Sequence, residues 1–395
     1  MTALSKSEKG PRGARMYKNP AIARCCPSLM ELPPAPRNRV GWPWSEESTQ
    51  LPETMPDGRL WPRVTIVTPS YNQGEFIEEA IRSVLLQGYP NLEYIIIDGG
   101  STDRTVDIIR RYEDHLTYWV SEPDQGQSDA INKGWKKSSG EILAWINADD
   151  TYCPGAIAAV GGTFLEKNDV VLVSGAANTT DVSGETILFT KRPPDINPYE
   201  MLRRSGGVPT QPSVFLRRRV VDEIGFLNTE LHYVMDWEFW IRLGLYYRPE
   251  QFQKTNKVLS NNRQWPETKT NKGWREICQE NRLVLDYIFG TFSGDRALQR
   301  IKCIAHSTSY RKQASLAREN AAPGLAIKSL FRAWCMAPLA YNPAREFAFL
   351  LSVILGKEKT DRLKSWLSIE RDRLPDDQVD TGEGSECSEE LMLRR

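Results

Sequence analysis

Residues 64–103 read VTIVTPSYNQGEFIEEAIRSVLLQGYPNLEYIIIDGGSTD. The β-branched run from Val64 to Val67 ends in Thr-Pro-Ser. Residues 75–87 then set Phe76, Ile77, Ala80, Ile81, Val84 and Leu85 at helical spacing, and residues 94–97 form a second apolar run closed by Asp98-Gly-Gly-Ser101. Short apolar runs flanking a helical pattern describe one strand–helix–strand unit. Working outward, the alternation continues with helix 104–112, strand 116–120, helix 127–137, strand 142–146, helix 155–168 and strand 170–174. That order predicts an α/β fold with a mostly parallel sheet covered by helices on both faces. Such sheets bind ligands at the carboxyl ends of their strands. Four of those ends carry polar loops here: residues 68–72, 98–103, 121–129 and 147–150.

Residues 180–262 are less regular, with apolar stretches near 186–189 and 213–216 and an amphipathic helix over 236–245. From residue 276 to about 373 the chain reads as helices, broken near 290–294 and at Pro323-Gly324. Residues 1–40 hold eight Lys or Arg against two acids, with six prolines, and predict an irregular arm. Two tryptophans beside proline, in Gly41-Trp-Pro-Trp44, are suited to pinning that arm onto a domain surface. Residues 376–390 carry seven acids and no base, and read as a solvated tail. The expected division is an arm at 1–60, a main domain at 61–272, a helical extension at 273–373 and a tail at 374–395.

Fifty-one Lys or Arg balance 51 Asp or Glu, so bulk charge does not hold a nucleic acid, and none is expected as a partner. The seven cysteines show no C-x-x-C and no zinc spacing, which argues against a disulfide scaffold and for a reducing compartment. No apolar run approaches the ~20 residues that span a bilayer. The first 30 residues contain no signal-peptide core, and the expected location is the cytoplasm. The run FAFLLSVIL at 347–355 reads either as a buried helix or as an interfacial membrane contact.

The chemistry lies in the loops. In Asn147-Ala-Asp-Asp150 two adjacent carboxylates repel unless a cation or hydrogen bonds compensate them. A divalent ion shared with a diphosphate would do so, because Mg2+ takes one or two carboxylates and completes its shell from phosphate. A turn or helix start is the plainer reading. Asp98-Gly-Gly-Ser-Thr-Asp103 offers a hydrogen-bond acceptor for a base or sugar, or simply a turn and helix cap. Neither G-x-G-x-x-G nor G-x-x-x-x-G-K-[ST] occurs, which removes the dinucleotide and P-loop readings. Asp236, where a helix begins, is either an N-cap or a general base; Glu238 is the rival base, about 200° around the helix.

Taken together and in order, the motifs resemble the family 2 glycosyltransferases. They are Val64-Thr-Ile-Val-Thr-Pro-Ser-Tyr-Asn72, Ile96-Ile-Asp-Gly-Gly-Ser-Thr-Asp103, Glu122-Pro-Asp-Gln-Gly126 with Asp129-Ala-Ile-Asn-Lys-Gly134, Asn147-Ala-Asp-Asp150 and Met235-Asp-Trp-Glu-Phe-Trp-Ile-Arg242. The resemblance covers about residues 62–270. It implies a GT-A fold with a C-terminal helical extension, and inverting transfer of a sugar from a nucleotide-diphosphate donor with Mg2+ or Mn2+. It implies that Pro69, Ser70 and Asn72 hold the nucleotide, that Asp98 reads the base, and that Asp129, Asn132 and Lys133 lie near the ribose or donor sugar. Asp150 would be the direct metal ligand, Asp149 would contact ribose or metal water, and Asp236 would be the catalytic base. Many relatives carry Arg where this chain has Ile131, and a diphosphate-side histidine where Trp265 stands. Lys269 or Arg263 then either contacts phosphate or is a solvated loop charge, His232 either faces the acceptor or packs beside Tyr233, and of Trp237 and Trp240 one reaches the acceptor cleft or both pack in the core.

The implied acceptor is a saccharide or a lipid-linked saccharide, as in cell-surface polysaccharide assembly. A peripheral contact at the inner membrane face and a homodimer through the C-terminal helices are further expectations. Two other readings stand beside it: a non-catalytic nucleotide-sugar binder or scaffold, and a sugar nucleotidyltransferase. The second wants a basic Gly-rich loop after the first strand, and residues 68–74 contain no Lys or Arg.

Overall fold

The computed structural model describes residues 17–18, 26–190, 192–338, 340 and 343–355. The basic arm before residue 26 (residues 17–18 apart), the helical reading of 356–373 and the acidic tail lie outside them. The chain divides into two units, 1–340 and 341–395.

Elements alternate as the pattern predicts. Strand β1 (Tyr17–Lys18) is followed by β2 (Val64–Ser70), α1 (Ile77–Leu85), β3 (Leu92–Asp98), α2 (Thr105–Arg111), β4 (Tyr118–Ser121), α3 (Gln127–Lys137) and β5 (Ile142–Trp145). Then come β6 (Thr151–Tyr152), α4 (Ala156–Glu166), β7 (Leu172–Thr180), β8 (Thr186–Thr190), α5 (Pro198–Arg204), β9 (Val214–Arg217), α6 (Arg219–Ile224) and α7 (Met235–Tyr246). The unit closes with β10 (Phe252–Arg263), α8 (Lys269–Lys272), α9 (Trp274–Thr291), α10 (Arg296–Glu319) and α11 (Pro323–Met336).

The sheet runs β1-β4-β3-β2-β5-β9-β7-β10-β6, with β8 on β7. Pairs β4/β3, β3/β2, β2/β5 and β7/β10 are parallel; β9 enters antiparallel between β5 and β7. Because strand side chains alternate, Val67, Ile95 and Ile97 enter one core while Ile66, Tyr94 and Ile96 enter the other. The first core is covered by α3, α5, α7, α9 and α10, and the second by α1, α2 and α4. Helix α9 gives Val284, Leu285, Ile288 and Phe289 to the same core as Trp240 of α7.

The tryptophan–proline segment does pin the chain down. Trp42 Nε1 donates to the Tyr152 carbonyl at 2.7 Å, and the 1 %-exposed Arg82 donates to the carbonyls of Pro33 (2.8 Å), Pro43 (3.0 Å) and Trp44 (3.2 Å). Arg82→Met should cost about 3 kcal/mol, because it strands buried carbonyls without donors. A urea-denaturation midpoint equal to wild type would refute this.

In the second unit, α12 (Pro343–Leu355) is helical, but Phe347 is 62 % and Ile354 60 % exposed. The wholly buried reading of that run therefore does not hold.

Candidate active site

Parallel pairing puts Ser70, Asp98 and Ser121 in register at three adjacent strand ends. The loops beyond them, with Asn147–Asp150 and the segment between α6 and α7, enclose a cleft of about 980 Å3. Of the sequence-predicted residues, Pro69, Ser70, Asp149, Asp150, His232, Asp236, Arg263 and Lys269 line it. Asn72, Asp98, Asp129, Asn132, Lys133 and Trp237 do not.

The second group is engaged by its neighbours. Asp98 is fully buried and accepts from the backbone N–H groups of Gly100 (3.2 Å) and Ser101 (2.9 Å) and from the hydroxyls of Ser101 and Ser121 (2.6 Å). Asn72, at φ 52°, accepts from the Thr102 N–H at 2.9 Å, tying two loops together. Asn132 exchanges two bonds with the Leu227 backbone, at 2.8 and 3.1 Å. Lys133 pairs with both Glu122 and Asp129 at 3.3 Å. Of the two alternatives for the helix tryptophans, the structure shows core packing for both: Trp237 is 4 % exposed, and Trp240 stacks on Trp145 at 5.7 Å.

In the cleft the acidic pair is divided in its partners. Asp150, 2 % exposed, accepts from the Arg263 backbone N–H at 2.9 Å and from Asn147 Nδ2 at 3.0 Å. Asp149 accepts from Trp265 Nε1 at 3.2 Å. Trp265 thus leans on the acidic pair. Burial raises both carboxyls above the usual range, and for Asp150 the Asp149 charge adds to it. No three candidate ligands cluster among the described residues. Two crowded carboxylates in one cleft fit a hard cation that takes its remaining ligands from phosphate and water.

Asp236 is not the helix N-cap. That position is Val234, which has no capping side chain, and Asp236 lies second in α7, its Oδ1 accepting from the Trp237 N–H at 2.7 Å. Burial raises this carboxyl too. Glu238 is withdrawn as a rival: it is 2 % exposed and bound by Arg242 at 2.6 and 3.0 Å, inside the protein. Arg263 is also committed, pairing with Glu79 at 3.2 Å over the Phe76 ring. Lys269 is exposed above the Tyr233 ring and is the freer cation.

Sequence reasoning missed Asp124, Gln73, Gln211 and the wall built by Trp145, all of which line the cleft. Asp124 stood inside a quoted motif and could have been found there. Gln211 had no such signal: its Nε2 donates to the Trp145 carbonyl at 2.8 Å, which aims Oε1 elsewhere. That oxygen, Gln73 Oε1 and Ser70 Oγ are buried without protein partners. Buried polar atoms without partners, in residues that line a cleft, call for a hydrogen-bond partner.

Residues 65–225 match the family model described as Glycosyl transferase family 2. Among curated proteins, an uncharacterised glycosyltransferase of Rickettsia typhi is 30 % identical over 192 residues, covering 46 % of this chain and 58 % of its own. One of Rickettsia felis is 25 % identical over 280 residues, covering 65 % and 45 %. The chain thus spans about half the length of these curated relatives. Among solved structures, S. aureus TarS 1-349 in complex with UDP-GlcNAc is 16 % identical with a TM-score of 0.52, over 79 % of this chain and 93 % of that one. That likeness shows the GT-A fold.

Proposed function

From the match of residues 65–225 to the Glycosyl transferase family 2 model, we propose that the protein transfers a sugar from a nucleotide-diphosphate donor to a hydroxyl acceptor by a single inverting displacement. The observation that carries this reading is that the acidic pair Asp149/Asp150 and the isolated carboxylate Asp236 line one cleft. Asp236 removes the acceptor hydroxyl's proton as that oxygen bonds to the sugar's anomeric carbon. The bond to the diphosphate oxygen breaks with its electron pair, and nucleoside diphosphate leaves. A Mg2+ or Mn2+ held by Asp150, with Asp149 beside it, would supply positive charge to the departing diphosphate. Ser70, Gln73 and Gln211 offer hydrogen bonds to the donor, and Lys269 offers a cation. Inversion belongs to this proposal because Asp236 is assigned as a base acting on the acceptor and not as a nucleophile; Asp124 and Glu267 also line the cleft.

The acceptor is proposed to be a saccharide or lipid-linked saccharide, met at the inner face of a membrane. The competing reading, a non-catalytic nucleotide-sugar binder, is disfavoured because Asp236 would then sit half-buried and ionisable with no task. A thermal-shift panel of nucleoside diphosphates and nucleotide-sugars, with and without Mn2+, tests donor binding; product analysis with one ligand that binds tests transfer. Metal-independent or absent stabilisation across the panel would overturn the proposal.

A pH dependence follows. A base must be ionised to act, and burial holds Asp236 above the ordinary carboxylate range. The acid limb of kcat/KM should therefore fall off at a pH higher than that of a solvent-exposed aspartate. An acid limb at the ordinary aspartate position would argue against Asp236.

A further inference from the structure

The loop ahead of α7 carries the cleft side chains His232 and Tyr233 and leads directly into Asp236. Its helix has no side-chain cap of its own. The N–H groups of the segment leading into it, up to the N-cap Val234, are taken from outside. Glu280, on α9, is 8 % exposed, and its carboxylate accepts from three successive backbone N–H groups: His232 at 2.9 Å, Tyr233 at 2.8 Å and Val234 at 3.2 Å. A carboxylate at a helix N-terminus is favoured by the helix dipole, and three N–H donors satisfy the charge that burial would otherwise penalise.

A second contact holds the loop from the same side. Gly273, the N-cap residue just before α9, leaves the space that the Tyr233 ring fills; a Cβ there would overlap Tyr233 Cε1. Farther along α9, Val284, Leu285 and Ile288 share a core with Trp240 of α7, so the helix offering Glu280 is fixed to the helix bearing Asp236. Both clamp residues lie beyond the family-matched segment 65–225.

We infer that Glu280 is a positioning residue: with Gly273 it clamps residues 232–234, so that Asp236 and the acceptor-side loop are held in register with the reacting centre. This rests on the transferase reading above, and it makes the start of the C-terminal helical region part of the catalytic apparatus. A displacement of about 1 Å at a catalytic group costs roughly 10²-fold in rate.

The test uses the full chain. In Glu280→Gln one carboxylate oxygen becomes an NH2 group, which cannot accept from a backbone N–H, so at least one loop donor is orphaned with side-chain size conserved. Gly273→Ala disturbs the clamp from the Tyr233 side and serves if the first variant folds poorly. Glu276→Gln, on an exposed position one turn away, is the control. Hydrogen–deuterium exchange should accelerate at least about tenfold at residues 232–234 in both clamp variants and not in the control. The kcat for transfer should fall roughly 10- to 100-fold, with KM for the donor within about twofold.

Unchanged exchange at 232–234 overturns the clamp. Faster exchange with unchanged kcat overturns the positioning role. If wild type turns over no nucleotide-sugar, the transferase reading is what fails, and the exchange data still decide whether Glu280 orders the loop.

Discussion

Asp236→Asn is expected to lose roughly 10²- to 10⁴-fold in kcat, the usual contribution of a positioned general base, while binding donor as wild type does. The asymmetry comes from the geometry. Asp236 Oδ1 accepts from the Trp237 N–H, a bond that an asparagine oxygen keeps, so the start of α7 should survive the change. What is lost is the oxygen able to take a proton. The proposed donor side of the cleft, at the ends of β2 and β5, is untouched. The variant should therefore show the same Mn2+-dependent thermal shift with nucleotide as wild type and almost no transferred sugar. Full activity would remove Asp236 as the base. Loss of nucleotide binding would mean that Asp236 helps to form the donor site.

How legible this cleft was in the sequence depended on which force placed each residue. Strands β2, β3 and β5 announced themselves because they are buried on both faces and read as apolar runs, and the loops after them could be found by counting. The 12-residue strand β10 escaped, since Phe252–Arg263 has few apolar positions and much of it is half-buried or exposed. Its tertiary pairing with β7, not its composition, makes it a strand. The same limit hid Glu280 and Gln211. Each acts through backbone groups distant in sequence, and no local spacing marks such a partner.

Motif position also says less about contact than it suggests. The polar atoms of Asp98 and Asn132 bind the chain's own loops. A residue recognised by motif can thus shape a cleft without lining it. Trp237 and Trp240, three apart on α7, could be assigned to core or cleft only once the opposing Trp145 was seen to stack on Trp240.

Asp149→Asn should stabilise the unliganded protein and abolish its response to metal and nucleotide, two effects of opposite sign from one substitution. Burial holds Asp149 above its unfolded-state pKa. Asp150 is raised by burial and then by the Asp149 charge. A carboxyl whose folded pKa is raised favours the native state when protonated, and that contribution is lost as pH rises through the folded value. At a pH above the unfolded-state pKa values the pair therefore works against folding. Asparagine at 149 keeps an acceptor for Trp265 Nε1 and removes one of the two charges. The thermal midpoint should rise at pH 7 by about 2–4 °C per kcal/mol recovered, and this gain should vanish at a pH low enough to protonate the pair. The cost appears on ligation. Wild type saturated with Mn2+ and nucleotide at about a hundredfold excess over Kd should gain about 2.7 kcal/mol, whereas the variant should gain little. Crowded carboxylates that oppose folding at neutral pH make physical sense where a ligand relieves them. A variant less stable than wild type at pH 7, yet still stabilised by metal and nucleotide, would make the pair an ordinary structural feature and would send the search for the metal site elsewhere.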